Sequence, residues 1–451
     1  MYKSAYKKPP HNPTRALIHM PIHIPIHTSM CIFIAALTLL IPLACPAAAS
    51  HVILTGKDLP HLLGKPIASI RVLDMGGKAI PFQIDEVTDD GEYVLDKGEM
   101  PNTENGTGLL DEGDEIVFLW DDAGNPPESS KNPDPAGISD SIDNNGGNDN
   151  INGKNSIDGL VVFSRGSASR AVIIRLDKSI PLSTKKYIDY DHAAQRVVTP
   201  FYYADFAKDR FHFLRAGVRD FRSGKFIDLT NELRVEILLK TLFGLIPVRY
   251  TEDNIVCLVR RYKAGPIRLV RRGDFHLNLG LGVKGSRAAV DQICYPQAVQ
   301  VPVYVHLPIR FRALFGQAYI EMTPVVREAG RAFTFSAPSA GAAFPVGGAD
   351  IDTLCEALPA GRMFTLLNGA TGYGWLLNTT MDPAHLGGSG FVMRRPPPGR
   401  AGIAECGFRL TVRDVPRGSY YITNWVVFPG GRDGDARRLG EAVNLPVRVK
   451  R

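Results

Sequence analysis

Period-two alternation is the feature that most restricts what this chain can fold into. Phe275, Leu277, Leu279, Leu281 and Val283 fall on one side of an extended backbone, and His276, Asn278, Gly280 and Gly282 on the other. That is the pattern of a half-buried β-strand. Leu233, Val235, Ile237 and Leu239 alternate with Arg234 and Glu236 after Glu232, although a helix through Leu242 fits the same letters. Phe408, Leu410 and Val412 make another strand face, as do Leu445, Val447 and Val449. Tyr420 to Phe428 is apolar enough for burial on both faces. Shorter candidates are Ile67–Leu73, Ile80–Ile84, Tyr93–Leu95, Glu115–Trp120, Gly159–Phe163 and Ala171–Arg175. Long amphipathic helices and fixed-period repeats are absent from the pattern. The 44 glycines and 33 prolines in 451 residues supply the turns that so many short strands need. The expected class is all-β, mainly an antiparallel β-sandwich, with few short helices and a long disordered insertion.

The first 49 residues read as a targeting segment. Lys3, Lys7, Lys8 and Arg15 precede the apolar run Cys31–Ile41, and the small residues Ala47-Ala48-Ala49 follow. The apolar run, continued to Cys45, is shorter than the roughly 20 residues that span a bilayer. Cleavage after Ala49 is the first reading; an uncleaved anchor and a lipid on Cys45 are the alternatives. His19, His23 and His27 belong to this leader, and the intervening prolines oppose a helical metal site. The expected location is extracytoplasmic, periplasmic or secreted, with the N-terminus as the sole membrane contact. After the leader come an N-terminal β region at 50–124 and a linker or insertion at 125–157. The main body is 158–451, with a C-terminal β subdomain from about 330 as an option. The linker is almost wholly Pro, Ser, Asn, Asp and Gly and buries too little apolar surface to order itself.

Charge is unevenly distributed. Asp85 to Asp158 holds 20 acidic and 3 basic residues; Gly159 to Arg451 holds 41 basic and 24 acidic, a net of +17. Such a body attracts anions, including acidic glycans, envelope phosphates and its own acidic segment. Nucleic acid is not an expected partner: the location is wrong and no nucleic-acid motif is present.

Three groups of residues could carry chemistry. The first is a basic hairpin, Val256–Arg261 and Ile267–Arg272 around Tyr262-Lys263-Ala264-Gly265-Pro266. It gathers Arg260, Arg261, Lys263, Arg268, Arg271 and Arg272. Lys263, Arg268, Arg271 and Arg272 are the ligand-binding candidates, since guanidinium groups grip carboxylate, sulfate or phosphate in bidentate fashion. The competing reading is a solvated row of charge that protects a sheet edge. The second group is an acid/base set of Tyr202, Tyr203, His212, Tyr262, Lys263 and His276. His276 and Tyr262 are its catalytic candidates, His276 because its glycine-containing strand face leaves room for a ligand. The third is a calcium site on Asp111, Asp114 and Glu115, against a solvated acidic loop. No other cofactor is expected. Ser141-Ile-Asp143-Asn-Asn145-Gly146 lacks the first Asp and the closing Glu of a calcium-binding loop, and Gly280-Leu-Gly282 has no helix start after it. Trp375 and Trp425 could stack on sugars. Cys257, Cys294, Cys355 and Cys406 allow two disulfides in three pairings, and none forms a CxxC pair.

Two stretches resemble exported bacterial proteins of uncharacterised function. Ile80-Pro-Phe-Gln-Ile-Asp-Glu86, followed by Leu110-Asp-Glu-Gly-Asp-Glu-Ile-Val-Phe118, is similar to their opening strands; Lys263-Ala-Gly-Pro-Ile-Arg-Leu-Val-Arg271 is similar to a later segment. Some of those proteins look related to the galactose-mutarotase-like superfamily. The resemblance covers about a tenth of the chain. It implies a β-sandwich and a link to glycans, and transfers no catalytic residue. The expected function is non-catalytic binding of an envelope or extracellular, anionic glycan. A lyase-type carbohydrate-active enzyme and a structural or assembly component of the envelope are the alternatives.

Overall fold

The computed structural model describes residues 51–127, 158–165, 168–208, 213–241, 246–280, 283–284, 288–307, 310–313, 315–330, 332–337, 342–346, 354–357, 363–368, 371–385, 390–396, 398, 402–428 and 448–450. Among them the structure is β throughout. Every strand pair is antiparallel, and the helical segments are three-residue 3-10 turns.

Two large sheets form the main sandwich. One runs, in hydrogen-bonded order, Leu354–Ala357, Gly390–Arg394, Ala404–Val412, Phe315–Val326, Phe226–Thr241, Phe213–Arg219, Tyr202–Phe206, Arg196–Val198 and Asp189–Asp191; Ile246–Thr251 also pairs with Phe226–Thr241. The other runs Ala342–Pro345, Thr334–Ala337, Met363–Asn368, Thr371–Thr379, Gly418–Val427, Ala298–Leu307, Ala288–Tyr295, Leu269–Gly280, Ile255–Ala264 and Lys97–Gly98, with Val283–Lys284 on Leu269–Gly280. They are called the ten-stranded and eleven-stranded sheets. Leu233, Val235, Ile237 and Leu239 all enter the core between them, as do Phe408, Leu410 and Val412. Period two thus wins over the helical reading: the strand Phe226–Thr241 has 16 residues, about 50 Å of extended chain. Strands from beyond residue 330 enter both sheets, so the C-terminal third is woven into the same core.

The N-terminal region adds two layers. His51–Thr55, Glu115–Leu119 and Phe82–Asp85 form a three-stranded sheet; Ile70–Leu73, Ala168–Leu176, Asp158–Arg165 and Arg448–Lys450 form a four-stranded one. Val52, Leu54, Ile116 and Phe118 face the four-stranded sheet, where they meet Val72, Phe163 and Ile174. Val117 and Leu119 face the eleven-stranded sheet and meet Val270, Tyr295 and Trp425. The N-terminal body therefore continues past the linker to Leu176. Tyr93–Leu95 is buried but is no strand, only an isolated bridge from Tyr93 to Val87. Tyr420–Phe428 is buried on both faces as expected: Ile422 turns to the ten-stranded sheet, Trp425 and Val427 to the N-terminal body.

No helix among the described residues is long and apolar enough to cross a membrane. The leader and the segment Ser141–Gly146 lie outside the described residues.

Candidate functional site

The basic hairpin forms, as Ile255–Ala264 and Leu269–Gly280, but its cations are already engaged. Arg268 has no exposed surface. Its Nε donates to Asp85 Oδ2 at 2.7 Å, Nη2 to Glu115 Oε2 at 2.6 Å and Nη1 to Tyr295 at 3.3 Å. Lys263 Nζ lies 3.0 Å from Asp85 Oδ1 and donates to the Ile84 carbonyl at 2.6 Å. Arg261 and Arg272 share Glu92 at 3.1 and 2.9 Å, and Arg272 also pairs with Asp291 at 2.6 Å. Arg260 meets Glu99 at 2.5 Å and Asp274 at 3.4 Å. A register shift between Val259 and Arg261 turns Arg261 and Lys263 onto the face that carries Arg268 and Arg272. Arg271 points the other way, stacked 4.1 Å over Phe206 and donating to Gln292 at 2.7 Å and Gln195 at 2.5 Å. That grip helps to hold Gln195 at φ 50, unusual for a side-chain-bearing residue.

The acidic segment thus clasps the basic hairpin. Gln83 joins both halves: its Nε2 donates to both Asp85 oxygens at 2.9 Å, and its Oε1 accepts from the Arg268 amide at 3.1 Å. Gly265 is required beneath it, because a Cβ there would collide with the Gln83 carboxamide. Burial works to raise the Asp85 pKa, but Arg268 and Lys263 outweigh it and hold the carboxyl below its usual range. The segments 80–86 and 263–271 are therefore two halves of one joint between the N-terminal body and the sandwich. Lys263, Arg268, Arg271 and Arg272 each have at least one protein acceptor or carboxylate partner. Such a cluster fixes how two layers dock.

The remaining candidates disperse. Tyr262 lies opposite Arg271 on the face toward the ten-stranded sheet, stacked on His192 at 4.6 Å. His276 is on the opposite face, four positions from Arg272 and so about 13 Å along the strand. The two do not form an acid/base pair. Tyr202 is buried, donating to the Tyr295 carbonyl at 3.0 Å, and His212 lies outside the described residues. The calcium expectation is corrected, since no group of three ligating side chains gathers among the described residues. Asp114 is buried and its two oxygens accept from the Val87 and Asp111 amides, each at 2.8 Å; burial pushes its pKa up to about 6. Asp111 is exposed and bound to Thr107, while Glu115 turns inward to Arg268. Trp375 and Trp425 are both in cores. The two-disulfide scheme is corrected too: Cys257, Cys294 and Cys406 are free, buried thiols.

The arrangement that sequence reasoning missed is the outer face of the ten-stranded sheet. Alternation puts polar residues of eight strands there, opposite the apolar core. At one end Glu321 and Glu405 sit beneath three guanidinium groups. Arg394 bridges them, 2.5 Å from Glu321 Oε1 and 2.8 Å from Glu405 Oε2; Arg409 meets Glu321 at 2.6 Å and Arg234 meets Glu405 at 2.5 Å. Glu236 lies directly across from Glu321, a like-charge pair that is unfavourable in a bare sheet. It accepts a hydrogen bond from the Tyr319 hydroxyl and faces Arg249 at 3.5 Å. Arg409 covers the Tyr319 ring at 4.7 Å. Gly407 lets the two strands close up, since a Cβ there would strike the Met322 carbonyl.

At the other end Tyr203 carries Arg196 at 4.5 Å and Arg215 at 5.7 Å over its ring and donates its hydroxyl to Asp228. Asp205 ties the same arginines at 3.3 and 3.0 Å, and Arg327 reaches Asp228 at 3.2 Å. Burial and the neighbouring carboxylate push the Tyr203 hydroxyl pKa up, so it is a poor base. Tyr203 was in the acid/base set, but its partners were not foreseen. The face mixes donors and acceptors around the half-buried Tyr319 ring, with seven arginines paired to five carboxylates. Arg249 and Arg215 remain 64% and 43% exposed, so a ligand can reach their free edges.

No family model matches the chain, and no curated protein does. Among solved structures, an alpha-mannosidase from Enterococcus faecalis is similar with a TM-score of 0.40 and 7% identity, covering 90% of this chain. This chain spans 45% of that enzyme's length. A putative aldose 1-epimerase from Escherichia coli is similar with a TM-score of 0.23 and 11% identity, over 60% of this chain and 99% of the other. The site is therefore read from this chain's own geometry.

Proposed function

We propose that this chain is a non-catalytic glycan-binding protein acting outside the cytoplasm, and that it binds through the outer face of the ten-stranded sheet. The single observation that supports the reading is the file of paired guanidinium and carboxylate groups around Tyr203 and Tyr319. Sugar rings offer neighbouring hydroxyls that both donate and accept, together with apolar C–H faces. The exposed edges of Arg215 and Arg249 and the half-buried Glu236 meet the first, and the half-buried Tyr319 ring the second. The hairpin cations were the original reason to expect an anionic glycan, and they are spent on the acidic clasp. The outer face, whose arginines are each paired with a carboxylate, suits a polyhydroxyl chain of low charge. Binding is favoured over hydrolysis because arginines face the Glu321 and Glu405 carboxylates on both oxygens. Little is left to take or give a substrate proton.

Affinity electrophoresis of the full chain through gels carrying neutral or uronate-rich polysaccharides tests this. The expected result is retardation by at least one polysaccharide that persists at about 1 M salt, where charges are screened within about 3 Å. Arg409→Ala and Tyr319→Ala should each lose at least about tenfold in affinity. Retardation that vanishes with salt, or release of new sugar ends during the run, would contradict the proposal.

A further inference from the structure

The core between the two large sheets is not filled. A cavity of about 80 Å³ lies between Val235, Phe275, Val303, Ile320 and Leu410. A void of about 20 Å³ adjoins it across Val290, and one of about 50 Å³ adjoins that void across Phe206 and Gln292. Interiors normally pack without voids much larger than a water molecule. The 80 Å³ cavity has an apolar lining with one polar exception, Asn424. That residue is 9% exposed, and its Oδ1 accepts no hydrogen bond from the described residues. Alternation explains how it gets there: Asn424 lies two residues from Ile422 on the core-facing side of the Gly418–Val427 strand. A carbonyl oxygen left unsatisfied in an apolar cavity is destabilising, and leucine at the same place would avoid that cost. An apolar cavity with one oriented polar group is the usual form of a small-ligand site.

We infer that the space between the sheets binds a slender apolar molecule with a single hydroxyl, which donates its proton to Asn424 Oδ1. The hydrocarbon part lies among the valine and isoleucine side chains, and its tail follows the line of smaller voids. The site is separate from the outer sheet face, and either can fail without the other.

1-Butanol and its isomer methyl propyl ether test the inference, because they have the same atoms and only the alcohol donates a hydrogen bond. Binding to the full chain is read by isothermal titration. The alcohol should bind saturably at one site, at least about tenfold more tightly than the ether, the ratio that one net hydrogen bond gives. Asn424→Leu should bring the two affinities together. Val303→Phe, which fills the cavity with hydrocarbon, should abolish both. Should Asn424→Leu fail to fold, the alcohol-to-ether ratio in the native chain and the Val303→Phe result still decide. Absence of saturable binding by either compound, equal affinities in the native chain, or binding that survives Val303→Phe would overturn it. So would a crystal structure from alcohol-soaked crystals with only water on Asn424.

Discussion

Arg268 shows what a single residue contributes. Its sequence context, a cation in a basic hairpin, suggested a ligand grip. The structure gives it two carboxylates that lie 183 and 153 residues earlier in the chain. The charge imbalance between the acidic segment and the body was legible, and it included the body's own acidic segment among the partners. The pairing was not legible, because it depends on how one sheet docks on another. Arg268→Met leaves Asp85 and Glu115 buried without their counter-ion, and should cost about 3–5 kcal/mol in urea unfolding. Asp85 sets a pH dependence. Its folded pKa is below the unfolded value, so its stabilising contribution is present above about pH 4. It is lost as pH falls through the folded value. Unfolding followed from pH 6 downward should show stability falling below about pH 4, and Asp85→Asn should flatten that limb from a lower starting stability.

Elements were easier to read than contacts. The faces Leu233–Leu239 and Phe408–Val412 were legible because each strand carries its own period. Glu115–Trp120 likewise gave the buried strand Glu115–Leu119. The outer site was illegible for a related reason. Tyr319, Glu321, Arg394, Glu405 and Arg409 come from three strands, and only cross-strand register brings them together. Gly407 marks that register: Gly407→Ala must push the strands Phe315–Val326 and Ala404–Val412 apart. It should cost about 1–3 kcal/mol and weaken glycan retention together with thermal stability. Gly98→Ala strikes the Arg260 carbonyl at a φ of +112. It should loosen the clasp and leave retention unchanged, as gel assays on the folded variant would show.

At the scale of the whole molecule, four sheets stack through three apolar cores among the described residues. The sandwich class was visible in the strand count and the turn residues. The layering of the N-terminal body was not, since it depends on Gln83 and Asp85 facing one sheet while Phe82 and Ile84 face another. The stack is held without the expected disulfides. Burial pushes the Cys257 and Cys294 thiols up to about 12 and Cys406 higher still. These three thiols should resist a thiol reagent in the native chain and react on unfolding, and a reductant should leave the melting temperature unchanged. The account rests most on the outer sheet face, so the most direct measurement is oxidative footprinting of tyrosines with and without the polysaccharide that retards the chain. Shielding of the half-buried Tyr319, with the buried Tyr203 and Tyr93 and the hairpin Tyr262 unchanged, is the predicted result. Unchanged oxidation at Tyr319, with shielding around the hairpin instead, would contradict it.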